Sequence, residues 1–104
     1  MGVVTTAATP ANAADCSFVV RDHSNGTDSV RSGKAINVGP SSTCADAGVG
    51  SGRYSWNLWC WEFSTSGGNV FWYGRGTDGN GWVNEANLVY NNNARNLSNR
   101  CSTS

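Results

Sequence analysis

The side chains of this sequence best suited to chemistry are aromatic. Trp59 and Trp61 stand two apart in the run Tyr54-Ser-Trp-Asn-Leu-Trp-Cys-Trp-Glu-Phe63, and Tyr73 and Trp82 follow in a second aromatic stretch. Alternate positions of a strand share a face. With Trp56, Leu58 and Cys60 turned inward, Trp59 and Trp61 fall together on the opposite face. Two tryptophans side by side toward solvent are costly to leave bare and form a platform for the apolar face of a ligand. Neighbouring Ser, Gly and Asn supply neutral hydrogen-bonding groups that orient such a ligand. Tyr54, Tyr73 and Trp82 extend the platform. The chemistry is then non-covalent recognition of a peptide or a glycan. The plainer reading is that all five tryptophans fill the core of a small domain, since tryptophan is mostly buried on average. Trp82 is the most naturally structural of them.

Other chemistries find little support. His23 beside Asp22 and near Asp28 offers an imaginable base for one of the many serines, but no Gly-x-Ser-x-Gly run is present. A histidine in an Asn-Gly turn reads as a solvated loop residue. The acidic residues lack metal-loop spacing. No Cys-x-x-Cys pair occurs and His23 is the only histidine, which argues against zinc. The expectation is no catalysis, no metal and no cofactor. Seven basic residues are balanced by seven acidic ones and are scattered. Without a basic patch there is no footprint for nucleic acid. No apolar run approaches membrane-spanning length.

The four cysteines, Cys16, Cys44, Cys60 and Cys101, imply two disulfides and an oxidising compartment. Of three possible pairings the favoured one is Cys16–Cys101, tying the termini, with Cys44–Cys60, stapling a loop to a strand. Residues 1–14 read as the remnant of an export signal, with Ala11-Asn12-Ala13 as a small-x-small cleavage pattern. Residues 15–104 are then a single secreted domain, expected to be a monomer.

The elements that must position these residues are short strands. Thirteen glycines and only 13% charged residues suit strands and polar turns better than helices. Phe18-Val19-Val20-Arg21 reads as a first strand ended by turn residues, and Ala35-Ile36-Asn37-Val38 as another, stopped by Gly39-Pro40. Residues 54–63 form the longest strand. Glu62, two beyond Cys60 on the inward side, either marks the rim or shows that the face assignment fails there. Residues 64–69 read as a polar turn. Phe71-Trp72-Tyr73-Gly74 then runs into Asp78-Gly79-Asn80-Gly81 and out through Trp82-Val83, a β-hairpin signal. Residues 85–90 start as one helical turn and finish as a strand. Short strands at regular spacing predict a small antiparallel barrel, with a sandwich as the competitor.

Three segments resemble bacterial SH3-like domains of the small secreted actinobacterial type. Ile36-Asn37-Val38-Gly39-Pro40-Ser41-Ser42-Thr43-Cys44 is similar to the family's opening segment, although the Arg-Ser pair usual before Gly-Pro is absent. Val49-Gly50-Ser51-Gly52 leading to Leu58-Trp59-Cys60-Trp61 looks like the following strands, and Gly81-Trp82-Val83 with Asn87-Leu88 like the closing ones. The resemblance spans about residues 16–101 and implies an SH3-like antiparallel β-barrel that recognises cell-wall peptidoglycan peptide or glycan without catalysis. The rival expectation is a secreted inhibitor or antimicrobial protein acting on a protein target, with the loop 64–69 entering a partner's cleft. A matrix or spore-surface component that self-associates is a third.

Overall fold

A computed structural model describes residues 16–64 and 68–102. The proposed signal remnant and the centre of the loop 64–69 lie outside the described residues. Six strands form one antiparallel sheet: β1 (Thr27–Asp28), β2 (Ala35–Asn37), β3 (Asp46–Val49), β4 (Trp56–Phe63), β5 (Val70–Gly76) and β6 (Gly79–Asn84). Their order across the sheet is β1-β4-β5-β6-β2-β3. The fold is all-β, as the turn-rich composition predicts. The hairpin over residues 70–84 is its centre: Gly76 pairs with Gly79 across Thr77 and Asp78, and pairing continues to Phe71 opposite Asn84. Gly79 has φ +137°, a conformation open to glycine and strained for residues with a Cβ.

The sheet curls on itself. Val30, just beyond β1, bridges Leu88, and its carbonyl accepts from the Gly52 amide at 2.8 Å. The Arg31 amide donates to the Asn87 carbonyl at 2.8 Å. Ser51, after β3, donates from its backbone and its hydroxyl to the Asp78 carboxylate in the β5–β6 turn. Asp28 is fully buried at the edge of this closure. Its side-chain oxygens accept the backbone N–H groups of Ser29, Tyr90 and Asn91, at 2.6, 3.0 and 2.9 Å, so this buried polar group is hydrogen-bonded. A 3₁₀ turn at Glu85–Asn87 precedes Leu88, with the Asn84 side chain accepting from the Ala86 amide. The expected helical turn is found; the strand expected after it shrinks to the Leu88 bridge and a single Val89-to-Ser29 backbone bond.

Both faces of the sheet are covered. Inside the curl lie Val30, Ile36, Trp56, Leu58, Trp61, Val70, Trp72, Val83 and Leu88. On the other face lie Cys60, Phe71, Trp82 and Cys101, with Val20, Trp59 and Tyr73 packed against them. Strand β5 alternates regularly between the two: Val70 and Trp72 point in, Phe71 and Tyr73 out. Gly74 continues the inward series because a Cβ there would lie 2.7 Å from the Trp56 ring.

Strand β4 does not alternate regularly, and this corrects the expected face assignment. Leu58 pairs with Gly74 but Cys60 pairs with Tyr73, so Trp59 is an extra residue in a β-bulge. Past the bulge the parity of the strand is reversed. Trp61 joins Trp56 and Leu58 in the inner core, while Cys60 and Glu62 turn to the outer face.

Two further expectations are corrected. The disulfides are Cys16–Cys44 and Cys60–Cys101, not Cys16–Cys101 and Cys44–Cys60. Once the bulge turns Cys60 to the outer face, its thiol meets the C-terminal segment, where the Cys101 amide already donates to the Trp61 carbonyl at 2.8 Å. Residues 18–21 form no strand. They cross the outer face and contribute side chains instead, Phe18 edge-on to Trp82 with centroids 5.8 Å apart and Val20 in the outer cluster.

Candidate functional site

The five aromatics expected to form one platform are placed in three different settings. Trp61 is 5% exposed and belongs to the inner core. Its indole N–H donates to Asn99 Oδ1 at 2.7 Å and to the Asn96 carbonyl at 2.9 Å, so its polar edge is used within the protein. Trp82 is 1% exposed and lies beneath Phe18. Tyr54 is 61% exposed and pairs edge-to-face with Tyr90, centroids 5.4 Å apart, away from the others. Trp59 and Tyr73 do meet, at 5.5 Å, and Tyr73 meets Trp82 at 5.4 Å. The result is a row of edge-to-face rings, Trp59–Tyr73–Trp82–Phe18, buried in its middle at Trp82, with Phe18 exposed at one end and Trp59 half-buried at the other.

Trp59 owes this position to the bulge. Its carbonyl is held by the His23 amide at 2.9 Å and the Asn25 side chain at 3.3 Å, which fixes the extra residue on the surface. The guanidinium of Arg75 sits 4.3 Å from the centroid of the indole, and its Nε donates to the Tyr73 hydroxyl at 3.2 Å. A cation over a ring face is worth about 0.5–1 kcal/mol at an exposed site, a modest bias toward this orientation of the ring.

Beside Trp59 is a concavity of about 390 Å³, lined by Asp22, Ser24, Gly26, Thr27, Asn57, Leu58 and Trp59 but not by Arg75. Its volume is within the range of small-ligand sites. The polar groups in it are partly pre-positioned. Asp22 Oδ1 accepts from the Ser24 amide at 2.9 Å, leaving Oδ2 for a ligand donor. The Thr27 hydroxyl donates to Asn57 Oδ1 at 3.1 Å, leaving the amide donors of Asn57 for a ligand acceptor. One indole wall, one carboxylate oxygen, one amide and two hydroxyls suit a polar molecule with an apolar face. They offer no nucleophile–base pair. Among the described residues no group of three His, Cys, Asp or Glu side chains is placed to hold a metal ion.

Arg75, Asp22, Thr27 and Asn57 were missed by sequence reasoning. Arg75 had a signal, since it lies two beyond Tyr73 and so shares its face; Asn57 had one in its position two before Trp59. Asp22 and Thr27 had none, because they reach the site through pairing with β4.

A second charged cluster underlies the outer face. Glu62 is buried to 5% of its side-chain surface and receives Arg100 Nε and Nη2 at 2.8 and 2.6 Å. Burial pushes the Glu62 carboxyl up, but the Arg100 hydrogen bonds and charge and the Phe63 amide outweigh it. The net value lies below the ordinary 4.5. Its pKa is lower folded than unfolded, so the stability it confers is present above the ordinary carboxylate range. It is lost as pH falls through the lowered folded value. A Glu62→Gln variant is therefore expected to melt with a shallower acid dependence than the parent below about pH 4.5. Parallel melting curves from pH 6 to 2 would contradict this.

Among the described residues no helix is long and apolar enough to cross a membrane. Comparison with family models, characterised proteins and solved structures returned no match.

Proposed function

We propose that this protein is an exported, non-catalytic binding module that recognises cell-wall material, peptidoglycan glycan or peptide, through the Trp59 concavity. The observation that carries the reading is the bulge at Trp59, which leaves this tryptophan half-exposed while the other four are buried, beside polar groups with hydrogen-bonding capacity to spare. Most of the chain's tryptophan surface is spent on the two cores, so the one that is turned out stands apart. Two disulfides support export, since such bonds persist in oxidising compartments. The resemblance of residues 16–101 to secreted bacterial SH3-like domains gives the cell wall as the direction in which to look for a ligand.

The rival reading, an inhibitor or antimicrobial protein, draws on the exposed Tyr54–Tyr90 pair, since tyrosine is enriched where proteins dock. It gains nothing from the loop 64–69, whose centre lies outside the described residues.

Co-sedimentation of the oxidised protein with purified peptidoglycan separates the two. The parent is expected to pellet, and Trp59→Ala to bind about thirtyfold more weakly, the loss typical of a central aromatic anchor at about 2 kcal/mol. Because Trp59 packs only at the edge of the outer cluster, the variant keeps a cooperative melt. A parent that stays in solution, or a folded variant that pellets as well as the parent, defeats the reading and turns the search to a protein target.

A further inference from the structure

The Trp59 concavity is not isolated. A second hollow of about 200 Å³ is lined by Thr27, Tyr54, Tyr90 and Asn92, and Thr27 lines both. Tyr54 and Tyr90 are 61% and 56% exposed, and they stand at 89° to each other. Tyr54 precedes Trp59 by five residues, with a bend at Tyr54 before β4 and the bulge at Trp59, so the two aromatic positions are at most roughly 16 Å apart. Thr27, paired with Asn57, lies between them.

From these observations we infer that the two hollows are subsites of one groove, and that the groove takes an extended neutral oligosaccharide rather than a single sugar unit. The inference rests on the binding role proposed for Trp59. Each end carries an aromatic ring against which the apolar C–H face of a sugar can lie. Between them the lining is hydroxyl and amide from Thr27, Asn57 and Asn92, groups that pair with sugar hydroxyls and carry no charge. Asp22, at the Trp59 end, is the single charged side chain in either hollow, and its free oxygen accepts from a hydroxyl as well as from a cation.

A peptide would most simply bind this margin of the sheet by adding a strand to β1. That edge is already taken. The Asn93 side chain donates to the Asn25 carbonyl, and the segment carrying Tyr90 and Asn91 is tied to Asp28. Recognition falls on side chains, which suits a glycan.

The test compares a β-linked N-acetylglucosamine disaccharide with the corresponding hexasaccharide, titrated into the whole oxidised protein by calorimetry. The hexasaccharide is expected to bind at least tenfold more tightly. Tyr54→Ala/Tyr90→Ala should remove that gain, bringing hexasaccharide affinity down to within about threefold of the disaccharide's, because it deletes the rings of the second subsite. Trp59→Ala should weaken both sugars. Equal affinity for the two sugars, or a gain that survives in the double tyrosine variant, overturns the extended groove and leaves the Trp59 reading standing. No binding of either sugar by the parent, with peptidoglycan still pelleting it, overturns the glycan assignment in favour of a wall peptide. No binding of sugar or peptidoglycan overturns both readings.

Discussion

Trp61→Ala is expected to cost about 3–5 kcal/mol, the range for removing a buried Trp or Phe. The side chain is enclosed, faces Trp72 across the β4–β5 ladder, and anchors the C-terminal segment through its indole N–H. Truncation opens a cavity in the inner core. It also removes the indole N–H bonds to Asn99 Oδ1 and the Asn96 carbonyl, each of which keeps a backbone donor, so the loss falls mainly on packing and on the anchoring of this segment. In a domain whose whole stability is of order 5–15 kcal/mol, that is a large fraction, corresponding to a fall in Tm on the order of 20 °C. Trp61→Phe should lose less, since it keeps most of the ring and forfeits the hydrogen bonds. Urea unfolding of the two variants reads this directly. The result also separates Trp61 from Trp59: the first should lower stability, the second should lower binding. A Trp61→Ala protein that melts with the parent would show that the ring is not in the core.

The second large effect is expected from the C-terminal disulfide. Cys60 and Cys101 are fully buried and separated by 41 residues in sequence. In the chain-entropy treatment, closing a loop of that length stabilises by about 4 kcal/mol, against about 3.5 kcal/mol for the 28-residue separation of Cys16–Cys44. Beyond this entropy, the Cys60–Cys101 bond pins the segment that supplies Asn99 to Trp61 and Arg100 to Glu62. Cys60→Ala/Cys101→Ala is therefore expected to be the more damaging pair, and to expose Trp82 and Phe71 together. Denaturant unfolding of both double variants gives the order. Peptide mapping of the oxidised protein should recover Cys16–Cys44 and Cys60–Cys101 fragments; recovery of Cys16–Cys101 would contradict the structure.

What was legible in the chain was local. Asp78-Gly79 announces the β5–β6 hairpin because positive φ and tight turns are properties of single residues. Alternation of large side chains from Phe71 to Tyr73 gives a strand whose two faces are both apolar, and Glu85-Ala86-Asn87 gives its single turn of helix. Sparse charge and four cysteines placed the protein among small all-β disulfide-bonded domains. None of this required knowing which segment lies beside which.

The site was legible only in part. Alternation set Trp59 opposite Trp56 and Leu58, where it is half-buried against the outer cluster, yet the same rule sent Trp61 with it. A bulge is invisible in β4 alone: it exists only as a mismatch with Gly74 and Tyr73 on the neighbouring strand. One unpaired residue reversed the parity of everything after it, carrying Trp61 inward, Cys60 and Glu62 outward, and with Cys60 the choice of disulfide partner. Sequence by itself therefore determined the element types and turns, because these follow from each residue's own backbone preferences and the period of its neighbours. Which face each β4 side chain takes, which thiols meet, and which polar groups gather beside Trp59 were decided by strand register, a relation between residues up to 41 apart in the chain for the Cys60–Cys101 pair.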